Sequence, residues 1–84
     1  MADLVYSTLD EIDIVDETPR HLWVEVRLSD LAPGADAPSE AFEHLARDDQ
    51  FVSESDIAVY LNHQEFDWHG TRHSIVLYRL TKKG

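Results

Sequence analysis

Three histidines and two carboxylates lie close together in the C-terminal third of this 84-residue chain. Imidazole and carboxylate groups can coordinate zinc, which takes about four such ligands at roughly 2.0–2.2 Å. A hairpin tip at Gly70 would bring His69 and His73 together, but this glycine and the β-rich run after it argue against a helical His-x-x-x-His frame. We therefore expect ordinary surface or hairpin histidines and no metal site. The cluster comprises His63, Glu65, Asp67, His69 and His73.

Two pairs of neighbouring carboxylates are candidates for general acid–base chemistry, Glu11 with Asp13 and Asp48 with Asp49. Such chemistry needs a pocket in which burial or a like charge moves one pKa towards neutrality. The first pair is predicted on the exposed face of an edge strand and the second at a helix end, and neither position indicates a cleft. The chain also lacks cysteine, a phosphate-binding glycine loop and a Gly-x-Ser-x-Gly nucleophile motif. The sequence predicts a protein that is not an enzyme and uses no cofactor.

The acidic residues are unevenly distributed along the chain. All seventeen lie between Asp3 and Asp67 beside three arginines, a formal charge of minus fourteen, whereas Trp68 to Gly84 contains four bases and no acid. A protein with a net charge of minus ten is repelled by nucleic acids and membrane surfaces, which are polyanions. The favoured partners are basic proteins, or a protein site that is built to hold nucleic acid.

Length and composition predict one folded domain over residues 1–84. Hydrophobic residues make up 43% of the chain, enough for a compact core despite the charge. The opening residues lack the basic region of a secretion signal, and no apolar run approaches the ~18 residues of a membrane span. A cytoplasmic protein without membrane contact is expected.

Alternating apolar residues predict strands over residues 11–16 and 21–28, joined as an antiparallel hairpin by a turn around Pro19. Pro33 and Gly34 predict a linker-like loop over residues 29–37, which Pro38 follows directly. Pro38, Glu40 and an apolar stripe at helical spacing then predict a helix over residues 38–48.

The segment over residues 53–64 has a mixed pattern. Ser53-x-x-Asp56 resembles a capping box before a helical face, yet Ile57, Val59 and Leu61 alternate as in a strand; we favour the helix. Residues 66–80 predict a second hairpin that turns at His69 and Gly70, and its apolar second strand is expected at the centre of the sheet. The predicted fold is α+β, a small antiparallel β-sheet of two hairpins packed against one or two α-helices.

The predicted function follows from the charge. We expect an acidic protein-binding inhibitor that occupies a basic, nucleic-acid-binding surface of another macromolecule, as in phage-type anti-restriction or anti-CRISPR inhibitors, or in immunity proteins and antitoxins. The alternative is a small non-catalytic accessory domain whose acidity reflects solubility or salt adaptation. Candidate aromatic anchors are Tyr6, Trp23 and Tyr60, although core packing is the favoured role for Trp23. The predicted partner-binding surface comprises Asp10, Glu11, Asp13, Asp16, Glu17, Glu40, Glu43, Asp48 and Asp49.

Overall fold

The computed structural model describes residues 8–51, 56–57 and 59–82, which form four strands and one helix. The strands make one antiparallel sheet in the order β1-β2-β4-β3, and the helix lies between β2 and β3 in the chain. The predicted α+β class, with two hairpins packed against a helix, is confirmed. The elements are β1 Thr8–Glu17, β2 His21–Ser29, α1 Ala37–Arg47, β3 Val59–Trp68 and β4 Thr71–Thr81.

The first hairpin joins β1 to β2, and both strands extend beyond the predicted ranges. The turn is closed by the Thr18 N–H, which donates to the His21 carbonyl at 2.9 Å, and by the His21 N–H, which donates to Thr18 Oγ1 at 3.0 Å. The pairing of β1 with β2 is interrupted by two register shifts, between Leu9 and Glu11 and between Ile14 and Asp16. These irregularities make β1 the less regular of the two edge strands.

The second hairpin turns at two residues with positive φ, His69 at 51° and Gly70 at 78°, which is the pattern of a type I′ turn. It confirms the predicted turn and places β4 between β2 and β3, at the centre of the sheet as expected. The preference for a helix over residues 53–64 is wrong for residues 59–64, which belong to β3. Pairing with the apolar strand β4 outweighs the local helical pattern there. Residues 53–55 and 58 of that prediction lie outside the described residues.

The core lies between α1 and one face of the sheet. Ala37, Ala41 and Leu45 form the buried face of α1, as its apolar stripe predicts. The Tyr78 hydroxyl donates a hydrogen bond to the Pro38 carbonyl, which ties β4 to the first turn of the helix. Burial raises the pKa of Tyr78 to about 12, with smaller contributions from the Asp36 carboxylate and Tyr60. The sheet contributes Leu22, Val24, Val26, Leu28, Val76, Tyr78 and Leu80 to this core.

The opposite side of the sheet, which we call the open face, has no helix packed on it within the described residues. Along β2 and β4, fully buried residues on the helix side alternate with half-buried or exposed ones on the open face. One helix covers only one face of a four-stranded sheet. The central open-face residues are His21, Trp23, Glu25 and Arg27 of β2 and His73, Ile75, Leu77 and Arg79 of β4.

The loop between β2 and α1, predicted as a linker, is anchored to the sheet. The Leu31 N–H donates to the Arg72 carbonyl at 3.1 Å, and the Arg72 guanidinium donates to the Ala32 carbonyl at 3.1 Å. The side chain of Leu31 is buried in the core. Within the described chain, no helix has the length and apolar character needed to cross a membrane.

Candidate functional site

The predicted partner-binding residues fall into two groups on different layers of the molecule. Five of them lie on β1, and Glu11 and Asp13 are in register with Arg27 and Glu25 of β2. Arg27 lies between buried neighbours on β2, so these carboxylates belong to the open face. Asp16 is in register with Trp23 on the same face. The strand therefore lines one margin of the open face with negative charge.

The carboxylates of α1 lie on the other side of the sheet. Glu43 is exposed on the part of the helix that faces away from its buried alanines and is paired with Arg47 at 3.9 Å, one helical turn later, whereas Glu40 is half-buried at the side of the helix. Because the sheet separates these two glutamates from the open face, the nine predicted residues do not share a single surface. The two glutamates of the helix are a separate group.

The end of α1 approaches β1 and connects the two sides of that edge. Ile12 of β1 lines an open cleft of about 490 Å³ together with Asp48 and Asp49. Residues 44, 47 and 50 complete its wall. Carboxylates therefore flank β1 on both of its sides. We call this surface the acidic edge; it comprises Asp10, Glu11, Asp13, Asp16, Glu17, Asp48 and Asp49.

Arg27 is the main internal counter-ion of the acidic edge. Its guanidinium lies 2.9 Å from Glu25 and 3.3 Å from Glu11. The hydrogen bond and charge of Glu25 raise the pKa of Arg27, and the charges of Glu11 and Asp13 add to this effect. One guanidinium thus serves three carboxylates, so the cluster keeps a net negative charge.

Several other carboxylates of the edge have local partners. Lys82 forms an ion pair with Glu17. Asp10 accepts a hydrogen bond from the Ser29 hydroxyl at 2.9 Å, and Asp16 accepts one from the neighbouring backbone N–H at 2.8 Å. None of the described ion pairs involves Asp10, Asp13 or Asp16, and Asp10 and Asp16 are exposed, so their charges are not balanced by a described basic side chain within 4 Å.

The histidines near the C-terminus are separated by the second hairpin. The Tyr60 hydroxyl and Nδ1 of His63 share a hydrogen bond at 3.3 Å, on the helix side of β3. His73 stacks on Phe66 on the open face, with ring centroids 5.5 Å apart, and His69 lies in the turn against Trp68. Among the described residues, no group of three or more His, Asp and Glu side chains is positioned to hold a metal ion.

Sequence reasoning missed the exposed apolar character of β3. Seven large hydrophobic residues are exposed in the described chain, and five of them are on this strand: Val59, Tyr60, Leu61, Phe66 and Trp68. The available signal was architectural, since a sheet with one predicted helix leaves one face and both edges uncovered. The predicted anchor Tyr60 is on β3, Trp23 is half-buried on the open face, and Tyr6 lies outside the described residues.

Comparison of the chain with protein-family models, with curated proteins and with solved structures finds no match.

Proposed function

We propose that this protein is a non-catalytic inhibitor that uses its acidic edge to occupy a basic surface, in particular a nucleic-acid-binding site, of another macromolecule. One observation carries the proposal: β1 contains five carboxylates among ten residues, has no basic residue, and lies at the end of the strand order. A strand in that position presents its charges to a partner and to water. The proposal also assigns a cytoplasmic location.

The spacing of these charges suits a site that holds a polyanion. Alternate residues of a strand, such as Glu11 and Asp13, are about 6.8 Å apart, whereas one DNA strand carries a charge about every 3.4 Å of its axis. A second row of carboxylates is needed to approach that density. Asp48 and Asp49 supply it from the helix side of β1, beside Ile12.

An aromatic anchor lies next to the charges. Trp23 is in register with Asp16 and is half-buried on the open face, beside His21 at 5.8 Å between ring centroids. Aromatic residues beside charged groups commonly supply the affinity of protein interfaces, while the charges accelerate and orient association. Tyr60 lies on the opposite edge of the sheet and has no part in this contact.

A phage-type inhibitor of a host DNA-targeting system and an immunity protein or antitoxin that neutralises a nuclease both fit this surface. The identity of the captured target separates them. The second candidate function is an accessory domain whose carboxylates serve solubility. It is favoured by the internal pairing of Glu11, Glu17 and Glu43 with basic residues of the same chain.

The proposal is tested by removing equal charge from two places. One variant carries Asp10→Asn, Asp13→Asn and Asp16→Asn on the acidic edge. The wild type, immobilised and exposed to native-host lysate at about 50 mM salt, should retain a basic protein, and the variant at least ten-fold less of it. Raising the salt to about 500 mM should release that protein from the wild type, because the attraction between exposed charges is screened.

The matched control loses three carboxylates elsewhere, through Glu40→Gln, Glu43→Gln and Asp67→Asn, and should retain the partner like the wild type. Purified partner should then lose its nucleic acid when the wild-type protein is added. Equal retention by both triple variants, or binding that is indifferent to salt, would contradict the inhibitor and leave the accessory domain as the better description.

A further inference from the structure

Strand β3 lies at one edge of the sheet and carries exposed hydrophobic side chains. Its exposed hydrophobic side chains range from 41% exposure at Phe66 to 59% at Trp68, and they lie on both sides of the strand. They form two groups, residues 59–61 and residues 66–68, separated by the polar residues 62–65. Each group leaves apolar surface at the edge of the sheet, where a second strand can cover it.

The same strand has fewer of the devices that protect an edge from pairing than β1 has. Charged side chains, proline and bulges discourage strand addition, and β3 has two carboxylates, one register shift and neither lysine nor proline. One register shift, between Tyr60 and Asn62, leaves the segment from Asn62 to Trp68 regular. Over these seven residues, every second residue points its N–H and C=O groups away from β4, and these groups can pair with another strand.

We propose that β3 pairs antiparallel with β3 of a second copy of this chain, which joins two sheets into one of eight strands. A two-fold axis perpendicular to the sheet relates the copies, so both α1 helices lie on the same side. The proposal is independent of any partner at the acidic edge.

The side chains of β3 select one register for this pairing. Directly opposite residues of an antiparallel pair lie on the same face, so the two-fold axis must pass through a residue of the regular segment. If the axis lies at Glu65, this residue faces Glu65 of the second copy. If it lies at Phe66, Glu65 faces Asp67 of the second copy. Both place like charges together, which is destabilising, because the one Arg72 guanidinium of each copy is already paired with Glu65 and must then also balance the opposing carboxylate.

An axis through Gln64 avoids these clashes. It places His63 opposite Glu65 of the second copy, twice by symmetry, on the helix side of the sheet. On the open face it places Phe66 opposite Asn62 and brings Trp68 next to the bulge at Leu61. An axis at His63 also avoids the clashes, but it pairs fewer residues of the regular segment. Gln64 is therefore the favoured centre.

The net charge of minus ten per copy does not prevent this association, because the uncompensated charge is concentrated far from β3. The two copies of β1 would be the outermost strands of the eight-stranded sheet, about 34 Å apart at seven spacings of about 4.8 Å. Screening at physiological salt acts over about 8 Å, so repulsion between the two acidic edges is weak. The dimer presents one acidic edge at each end.

The test uses the residue on the proposed axis. Gln64 is exposed and faces its own copy, so Gln64→Glu and Gln64→Lys each place two like charges together. Sedimentation equilibrium of the wild type should show a monomer–dimer equilibrium. Each variant alone should have a dissociation constant at least about five-fold higher, and an equimolar mixture of the two should return to the wild-type value or below it.

The matched controls are Gln50→Glu and Gln50→Lys, at an exposed glutamine remote from β3, and they should dimerise like the wild type. Circular dichroism verifies that all four variants are folded. A wild type that remains monomeric at about 1 mM overturns the proposal and assigns β3 to a different partner. Gln64 variants that dimerise like the wild type, or a mixture that gains nothing over its components, overturn it as well.

Discussion

The two edge strands of this sheet have the same length and opposite chemistry. Each has ten residues and lies at one end of the strand order. β1 has five carboxylates and two register shifts, whereas β3 has two carboxylates, one register shift and five exposed hydrophobic residues. β1 is thus better protected than β3 against strand addition, by more charge and more irregularity.

The difference in chemistry between β1 and β3 does not arise on the core side of the sheet, where both strands make contacts. Ile12 of β1 packs against the core, and Tyr60 of β3 contacts Tyr78 of β4 at 6.1 Å between ring centroids. What differs is the chemistry presented to water: β1 presents five carboxylates beside the exposed Ile14 and Val15, whereas β3 presents five exposed hydrophobic residues and two carboxylates. The two proposed contacts use opposite edges of the sheet and therefore do not compete.

The largest expected effect is a dependence of the unfolding free energy on pH. Its source is Tyr78, an ionisable residue of the core that contacts Tyr60 of β3. Its pKa is raised from 10.0 to about 12 in the folded protein, so the uncharged phenol favours folding. That contribution is complete below pH 10 and is lost as the pH rises through about 12, at a cost of about 2 kcal/mol.

Tyr78→Phe removes this ionisation and keeps the ring. Urea titrations between pH 9 and 12 should show a steeper loss of unfolding free energy for the wild type than for Tyr78→Phe. The variant is expected to be less stable near neutral pH, because it lacks the hydrogen bond to Pro38. Parallel pH profiles of the two proteins would contradict the buried, uncharged role of Tyr78.

The next prediction compares how much a side chain of each edge strand contributes to the unfolding free energy. Ile12→Ala in β1 should lower the unfolding free energy by about 1.5 kcal/mol, because Ile12 is partly buried against the core. Leu61→Ala at the bulge of β3 should cost less than about 0.5 kcal/mol, since Leu61 is 45% exposed. Urea denaturation at low protein concentration measures both. A larger loss at Leu61 would mean that β3 is packed in the monomer.

The smallest effect concerns charge and should have opposite signs at the two edges. Asp13 is in register with Glu25, a like charge, so Asp13→Asn should raise stability by about 0.5 kcal/mol at low salt. Asp67 is in register with Arg72, so Asp67→Asn should lower stability by about 0.3 kcal/mol. Both differences should shrink in about 0.5 M salt. Changes of the same sign would show that overall charge, and not register, governs them.

Local pattern predicted most of the elements but assigned only residues 66–68 of β3 to a strand. Both strands of the first hairpin, the helix and the turn at Gly70 follow from period-two and helical spacing, which act over a few residues. In β3 the bulge at Leu61 changes which residues point to the open face, from odd-numbered Val59 to even-numbered Asn62. The alternation is therefore interrupted in the sequence, and the strand is formed by its pairing with β4.

The predicted site was limited in a similar way. The carboxylates of β1 and those of α1 are both conspicuous in the sequence. No short-range sequence pattern, however, predicts that the sheet lies between Glu40 and Asp13. Neither did the sequence pattern indicate that Asp48 and Asp49 would flank β1 beside Ile12. Both facts depend on the path of the chain between the hairpins, across one face of the sheet.

By itself the sequence determined the excess of carboxylates, the hairpins and the amphipathic helix, because each arises from composition or from neighbouring residues. Only the tertiary structure decided which surfaces they form. The order β1-β2-β4-β3 pairs the two apolar strands at the centre and leaves β1 and β3 at the ends. Burial of the central strands against one helix drives this arrangement. As a result, the negative charge collects at one edge and the exposed aromatic residues at the other.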